Sequence, residues 1–170
     1  VKKTWTEYCV SFSQNPQDLE ILELYKKFIN PKSNISTKTP NKVRFQFSNK
    51  QIGLDLIKLG YSNAKTFKEM KLPKIKKSLI KHFLRGFFDG DGTCTANMVK
   101  EKIKNSTKIY DRVKPVFHIG SKTKNILIEI QEFLKKQNIF LHIYYIEKQD
   151  FYVIKTSSRI EMKKLYDYFY

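Results

Sequence analysis

Apolar residues follow two rhythms along this chain. Between Lys42 and Ser48 they alternate: Val43, Phe45 and Phe47 take one side and Lys42, Arg44 and Gln46 the other, as in a strand with one buried face. Between Ser78 and Phe88 they take the helical period, and Leu79, Ile80, Phe83, Leu84, Phe87 and Phe88 form a broad apolar side. The same two patterns organise the rest. Thr4–Ser13 is predicted to be a strand with Tyr8, Val10 and Phe12 on one face. Asn15-Pro16 starts a helix, with Leu19, Ile21, Leu22, Tyr25 and Phe28 as its buried stripe, that ends before Asn30-Pro31. A polar strand at Asn34–Lys38 and a turn at Thr39-Pro40-Asn41 lead into the Lys42 strand. Lys50–Leu59 reads as a short helix that buries Ile52, Leu56 and Leu59 and stops at Gly60. Residues 61–73 are irregular and basic and link to the central helix.

Beyond that helix, Thr93–Met98 alternates and puts Thr95 and Asn97 outward, and Val99–Asp111 is a lysine-rich excursion. Arg112–Ser121 is a strand with Arg112, Lys114 and His118 opposite Val113, Phe117 and Ile119. A helix over Thr123–Lys136 buries Ile126, Leu127, Ile130, Phe133 and Leu134. Leu141–Ile146 and Phe151–Thr156 form a hairpin around Glu147–Asp150, and Arg159–Tyr170 closes the chain as a helix. From Ser78 the order is helix, strand, strand, helix, strand, strand, helix. The expected class is α+β, with antiparallel sheets packed under helices. Part of that order occurs twice. The stretch from Phe47 matches that from Lys155, pairing Ile52 with Ile160 and Ile57 with Leu165, and Ser11 onward parallels His118 onward. Two domains follow: 1–73, a copy without its opening helix and strand plus the linker, and 74–170, the full unit.

Charge narrows the class of partner. Thirty-three Lys and Arg against sixteen Asp and Glu give +17 on 170 residues, spread along the chain and not confined to a tail. That is the electrostatic footprint of a nucleic-acid binder, although a basic ribosomal-type or membrane-surface protein shares it. The longest apolar runs are far short of a membrane span, no secretory leader is visible, and an intracellular protein is expected. Cys9 and Cys94 lack any zinc-ligand spacing, and His82, His118 and His142 are scattered, so neither a zinc site nor a nucleophilic triad is indicated. The abundance of Lys, Asn and Ile points weakly to an AT-rich genome such as that of an organelle or phage. The first residue is Val, which leaves open a processed, excised or incompletely represented chain.

The central helix ends in Asp89-Gly90-Asp91-Gly92. Gly86 and Gly90, four apart, put two residues without side chains on one stripe, where a second helix can approach almost backbone to backbone. A partner helix built alike would bring its own terminal carboxylate beside Asp91, and paired carboxylates suit a hard divalent cation. A calcium loop opening at Asp89 is excluded: its sixth and twelfth positions are Cys94 and Lys100 instead of Gly and Glu.

Leu84–Gly92, L-R-G-F-F-D-G-D-G, resembles the signature helix of LAGLIDADG homing endonucleases. In that family two such helices pack at the molecular centre, each followed by DNA-binding strands, in one-domain homodimers or two-domain monomers with an αββαββα unit. The repeat extends the resemblance over nearly the whole chain. It implies a site-specific endonuclease, encoded within an intron or intein, that makes an Mg²⁺-dependent double-strand break in double-stranded DNA. By the same resemblance Asp91 and the Gly90 carbonyl hold the metal, Asp89 organises the helix end, and Gln14 and Ser121 position water at the ends of their strands. Lys65 stabilises charge at the scissile phosphate. The sheet faces then supply DNA contacts from Lys42, Arg44, Gln46, Thr95, Asn97, Arg112, Lys114, His118, His142 and Tyr144. Two departures stand beside these. No first signature helix precedes Val1, and no counterpart of Lys65 follows Tyr170. The second carboxylate then comes from about thirty to forty upstream residues or from a homodimer partner, or catalysis has been lost. An intron RNA-splicing maturase, or another non-catalytic nucleic-acid-binding descendant of the fold, is the alternative.

Overall fold

A computed structural model describes residues 8–30, 32–39, 41–61 and 70–170. The chain forms two compact units, 1–58 and 59–170. Lys65 and residues 4–7 of the expected first strand lie outside the described residues.

The first unit is a three-stranded antiparallel sheet with two helices. Its elements are β1 (Cys9–Gln14), α1 (Leu19–Ile29), β2 (Ile35–Thr39), β3 (Lys42–Ser48) and α2 (Lys50–Lys58), in the sheet order β1-β3-β2. Asn15 opens the helical segment, its side chain accepting from the Gln17 amide at 3.2 Å across one 3-10 turn. Strict alternation in β3 buries Val43, Phe45 and Phe47 around Leu22, and Phe12 stacks on Phe45 at 6.2 Å. The expected α1 stripe is corrected. Leu22 alone is fully buried, Leu19, Ile21 and Tyr25 are over a third exposed, and Phe28 is 91% exposed. Three strands are too narrow to cover a helix stripe that wide, so only the residue over the sheet centre is enclosed. Ile52, Leu56 and Leu59 are likewise half-buried, α2 lying against the β1 edge. Gly60 stands at φ +101°, the left-handed stop its position after the helix requires.

The second unit holds α3 (Lys77–Asp91), β4 (Gly92–Lys102), β5 (Ile109–Ser121), α4 (Lys124–Lys135), β6 (His142–Ile146), β7 (Phe151–Thr156) and α5 (Arg159–Phe169). The antiparallel sheet runs β4-β5-β7-β6, and its core joins Ile80 and Leu84 of α3 to Phe117, Ile119, Ile154, Leu165 and the buried stripe of α4. Each leucine or isoleucine so enclosed contributes about 1.5–3 kcal/mol. Phe88 stacks on Phe117 at 4.6 Å, and the connector is pinned where the Leu72 amide donates to Glu129 Oε2 at 2.6 Å. The strand order β5-β7-β6 repeats β1-β3-β2, the first strand named in each leading into a helix and the middle strand into another.

Three readings of this half change. Helix α3 continues through both acids to Asp91, and β4 starts at once at Gly92, whose amide donates back to the Phe88 carbonyl. Val99–Asp111 is not an excursion: β4 reaches Lys102, β5 begins at Ile109, and the two pair along their whole length. The ribbon outruns the helices, so both its faces are wet and the alternation that marks a strand fades. The repeat pairing of Ile52 with Ile160 and Ile57 with Leu165 is no match in burial, because Ile160 and Ile57 are exposed. Pro115, opposite Ala96, lies where β5 has already parted from β7, so its missing N–H interrupts no second ladder. Among the described residues no helix is long and apolar enough to cross a membrane.

Candidate nucleic-acid interface and carboxylate cleft

Pairing register fixes which side chains share a face. In the second unit Thr93 pairs with His118, Thr95 with Val116, Asn97 with Lys114 and Val99 with Arg112. His118 pairs in turn with Lys155, Lys155 with His142, and Val153 with Tyr144. Thr95, Asn97, Arg112, Lys114, His118, His142 and Tyr144 therefore lie on one face of the four strands. The opposite face carries Phe117, Ile119 and Ile154 into the helices. Lys155, a residue the sequence reading passed over, joins them with its Nζ 4.2 Å from the centre of the Tyr144 ring. Its place one residue after Ile154 puts it on the face opposite the core, and no alternation of apolar and polar residues marks it. In the first unit Lys42, Arg44 and Gln46 are exposed on the face opposite the buried β3 residues, with Ser13 across from Arg44 and Ser11 across from Gln46.

Arg112 is not a free cation. Its Nη1 donates to Glu101 Oε2 at 2.7 Å, and the Tyr110 hydroxyl donates to the same oxygen at 3.0 Å. The guanidinium, then the phenol, holds the Glu101 carboxyl below its ordinary value, and the carboxylate raises Arg112 in return.

The carboxylate site lies at the C-terminal end of α3. Asp91 borders an open cleft of about 430 Å³ with Phe87, Ser121, Lys122, Phe151 and Met70. Ser121 is buried at the end of β5, and its Oγ accepts from the Thr123 amide at 3.0 Å, which leaves the hydroxyl proton to donate. Gly120 forms the floor, where any Cβ would strike the Phe151 ring. Asp89 and Asp91 occupy the last turn of α3 without a basic residue there, and among the described residues neither carboxylate has a hydrogen bond or ion pair. With the unpaired carbonyls of a helix end they make a concentrated negative site. Gln14 sits at the end of β1 with the parity of the helix-covered face, as Ser121 does in β5, and is exposed. Lys122 is a cleft residue the sequence reading missed, its only mark being its place directly after Ser121. His82 is exposed on α3.

Gly86 and Gly90 face open space: a Cβ built at either would meet nothing within 4 Å among the described residues. Leu79, on the same stripe, is 47% exposed. Among the described residues no three His, Cys, Asp or Glu side chains gather at one point, so Asp91 with backbone and hydroxyl oxygens is what this chain offers a cation here. An all-oxygen set of that kind fits a hard cation such as Mg²⁺ or Ca²⁺ and not zinc.

Comparison with known proteins agrees with this arrangement. A structure described as the homing endonuclease I-SmaMI bound to cleaved DNA is similar over 94% of this chain and 72% of its own, with a TM-score of 0.62 at 15% identity. The same enzyme bound to an uncleaved DNA target in the presence of calcium ions matches over 94% and 73%, with a TM-score of 0.61 at 15% identity. The LAGLIDADG meganuclease I-AabMI bound to uncleaved DNA matches over 95% and 73%, with a TM-score of 0.63 at 13% identity. No curated protein sequence matches the chain. The model of the LAGLIDADG endonuclease family matches residues 84–170, from the middle of α3 to the C-terminal helix, and the chain belongs to that family.

Proposed function

We propose that this chain is a site-specific homing endonuclease, of intron or intein origin, that makes a Mg²⁺-dependent double-strand break in DNA. The observation that carries the reading is the junction at Asp91: a carboxylate without a partner among the described residues, in an open cleft, on a helix whose glycine stripe none of those residues covers. A second helix of the same kind laid on Gly86 and Gly90 completes the carboxylate pair, supplied either by the same polypeptide or by a second copy. The calcium in the I-SmaMI complex supports a divalent cofactor.

Asp91 and the Gly90 carbonyl are the residues that would hold Mg²⁺. Bound there, the ion would supply Lewis-acid polarisation of a phosphate and acidify a bound water. Asp89 organises the helix end. Ser121, with a hydroxyl proton to donate, and Gln14 orient water at the two strand ends. Lys65 carries charge to the scissile phosphate. Lys42, Arg44 and Gln46 on one sheet, and Thr95, Asn97, Arg112, Lys114, His118, His142 and Tyr144 on the other, contact bases and phosphates of the major groove.

The decisive test is cleavage by Asp91→Asn. Loss of a metal ligand costs several kcal/mol of transition-state stabilisation, on the order of a thousandfold in rate. Wild-type protein should nick and break a plasmid carrying the target in Mg²⁺ and not in EDTA, while the variant binds and does not cut. Equal rates would end the proposal. Binding without cleavage by wild type, tighter to a structured intron RNA than to random duplex at matched salt, would turn it into the maturase reading.

A further inference from the structure

Among the described residues Glu101 is the only acid on the open face of the four-stranded sheet, and the other charged side chains on that face are cationic. A carboxylate turned toward a polyanion weakens binding, so its presence calls for a reason. Exposed ion pairs add little to stability, and that of Glu101 and Arg112 is about half exposed at both ends. Its geometry is more informative. One oxygen, Oε2, receives both Arg112 Nη1 and the Tyr110 hydroxyl, so two side chains on β5 are tied to one on β4. Among the described residues the guanidinium is held by Glu101 through Nη1, with the Tyr110 phenol beside it, and its fork of five donors is not exhausted by them. Arg112 also rims, with Glu101 and Lys114, a recess of about 370 Å³. A guanidinium so clamped, with donors of its fork left over, matches the two acceptors of a guanine edge.

We infer that Glu101, braced by Tyr110, is a positioning residue that orients Arg112 to read one guanine in the major groove. Glu101 itself touches no base. It trades overall affinity for discrimination at a single base pair. The inference rests on the proposed DNA interface and adds to it a residue and a base.

The test uses the full chain in EDTA, a randomised duplex DNA pool with sequencing of the bound fraction, and anisotropy titrations on the preferred duplex and its single-pair variants. Arg112→Ala should erase preference at one guanine. Glu101→Ala should reduce that same preference roughly tenfold or more, while binding to the unselected pool stays equal or tightens because the lost charge was negative. Tyr110→Phe, which keeps the Arg112 contact, and Glu101→Gln, which keeps an accepting oxygen without the charge, should fall between. A merely structural pair would change melting temperature or all positions together and not one. Unchanged base preferences in Glu101→Ala, or loss in Arg112→Ala of a base other than guanine, would overturn the inference. Wild-type binding that is absent or independent of salt would instead refute the DNA interface beneath it.

Discussion

Replacing Asp91 by Asn should make the protein harder to melt and unable to cut. The carboxylate lies in the last turn of α3 beside Asp89, a turn that itself holds no basic residue. An acid so placed costs about 0.3–1 kcal/mol at low ionic strength, and asparagine keeps the shape without the charge. For a unit spanning residues 59–170 that is a rise in Tm of about 1–4 °C. The assay is calorimetry in EDTA at low salt, with hydrogen exchange of the β5 amides to assign the transition to this unit. The gain should shrink at high salt, because the interaction is screened. Mg²⁺ should reverse the order. A cation bound at tenfold its dissociation constant stabilises the wild type by about 1.4 kcal/mol, and the variant, lacking the ligand, gains less. A variant that melts lower than wild type in EDTA would refute the reasoning, because Asp91 would then hold a stabilising contact that its geometry lacks. The same order with and without Mg²⁺ would refute the metal role.

Three further outcomes follow from the packing and the charges. Leu84, with none of its surface exposed between α3 and the sheet, should cost about 2–5 kcal/mol when cut to Ala, read from urea midpoints. Lys114→Ala should weaken DNA binding across sequences alike and reduce the slope of log K against log salt by about 0.9 if it meets one phosphate. Glu101 should titrate, by carbon-detected NMR, below an ordinary glutamate, and Arg112→Ala should return it upward. A carboxyl lowered in the fold stabilises above its unfolded pKa and loses that contribution as pH falls through the folded one, so the clamp opens on acidification.

The parts of the fold that read clearly from the sequence are those with one wet and one dry side. The alternation of Lys42–Ser48 and the stripe of α4 describe surfaces covered by the same chain, and the structure buries them as expected except for Phe133, which is half-buried, with the α4 bounds one residue inside those expected. The helix α1 failed as a burial forecast because periodicity reveals an apolar face without saying whether this chain covers it. The lysine-rich ribbon failed for the converse reason, both faces being wet. At the site, Asp91 stood out by motif. Lys155 did not, because only the register of β6 and β7 brings it beside Tyr144, and Lys122 carries no mark beyond following Ser121. The clamp on Arg112 joins residues 9 and 11 positions from Glu101 and depends on where the ribbon turns.

Pro115 sets a limit on width. Where β5 leaves β7, a backbone N–H would offer the next strand a place to dock, and a docked strand from any source would turn the ribbon into a three-stranded slab or seed edge-to-edge aggregation. Proline withholds that donor at the point of divergence, and the lysines beyond it repel like copies. The projecting arm thus stays a two-stranded ribbon, a width the major groove admits, and its free edge stays closed to strands from other copies.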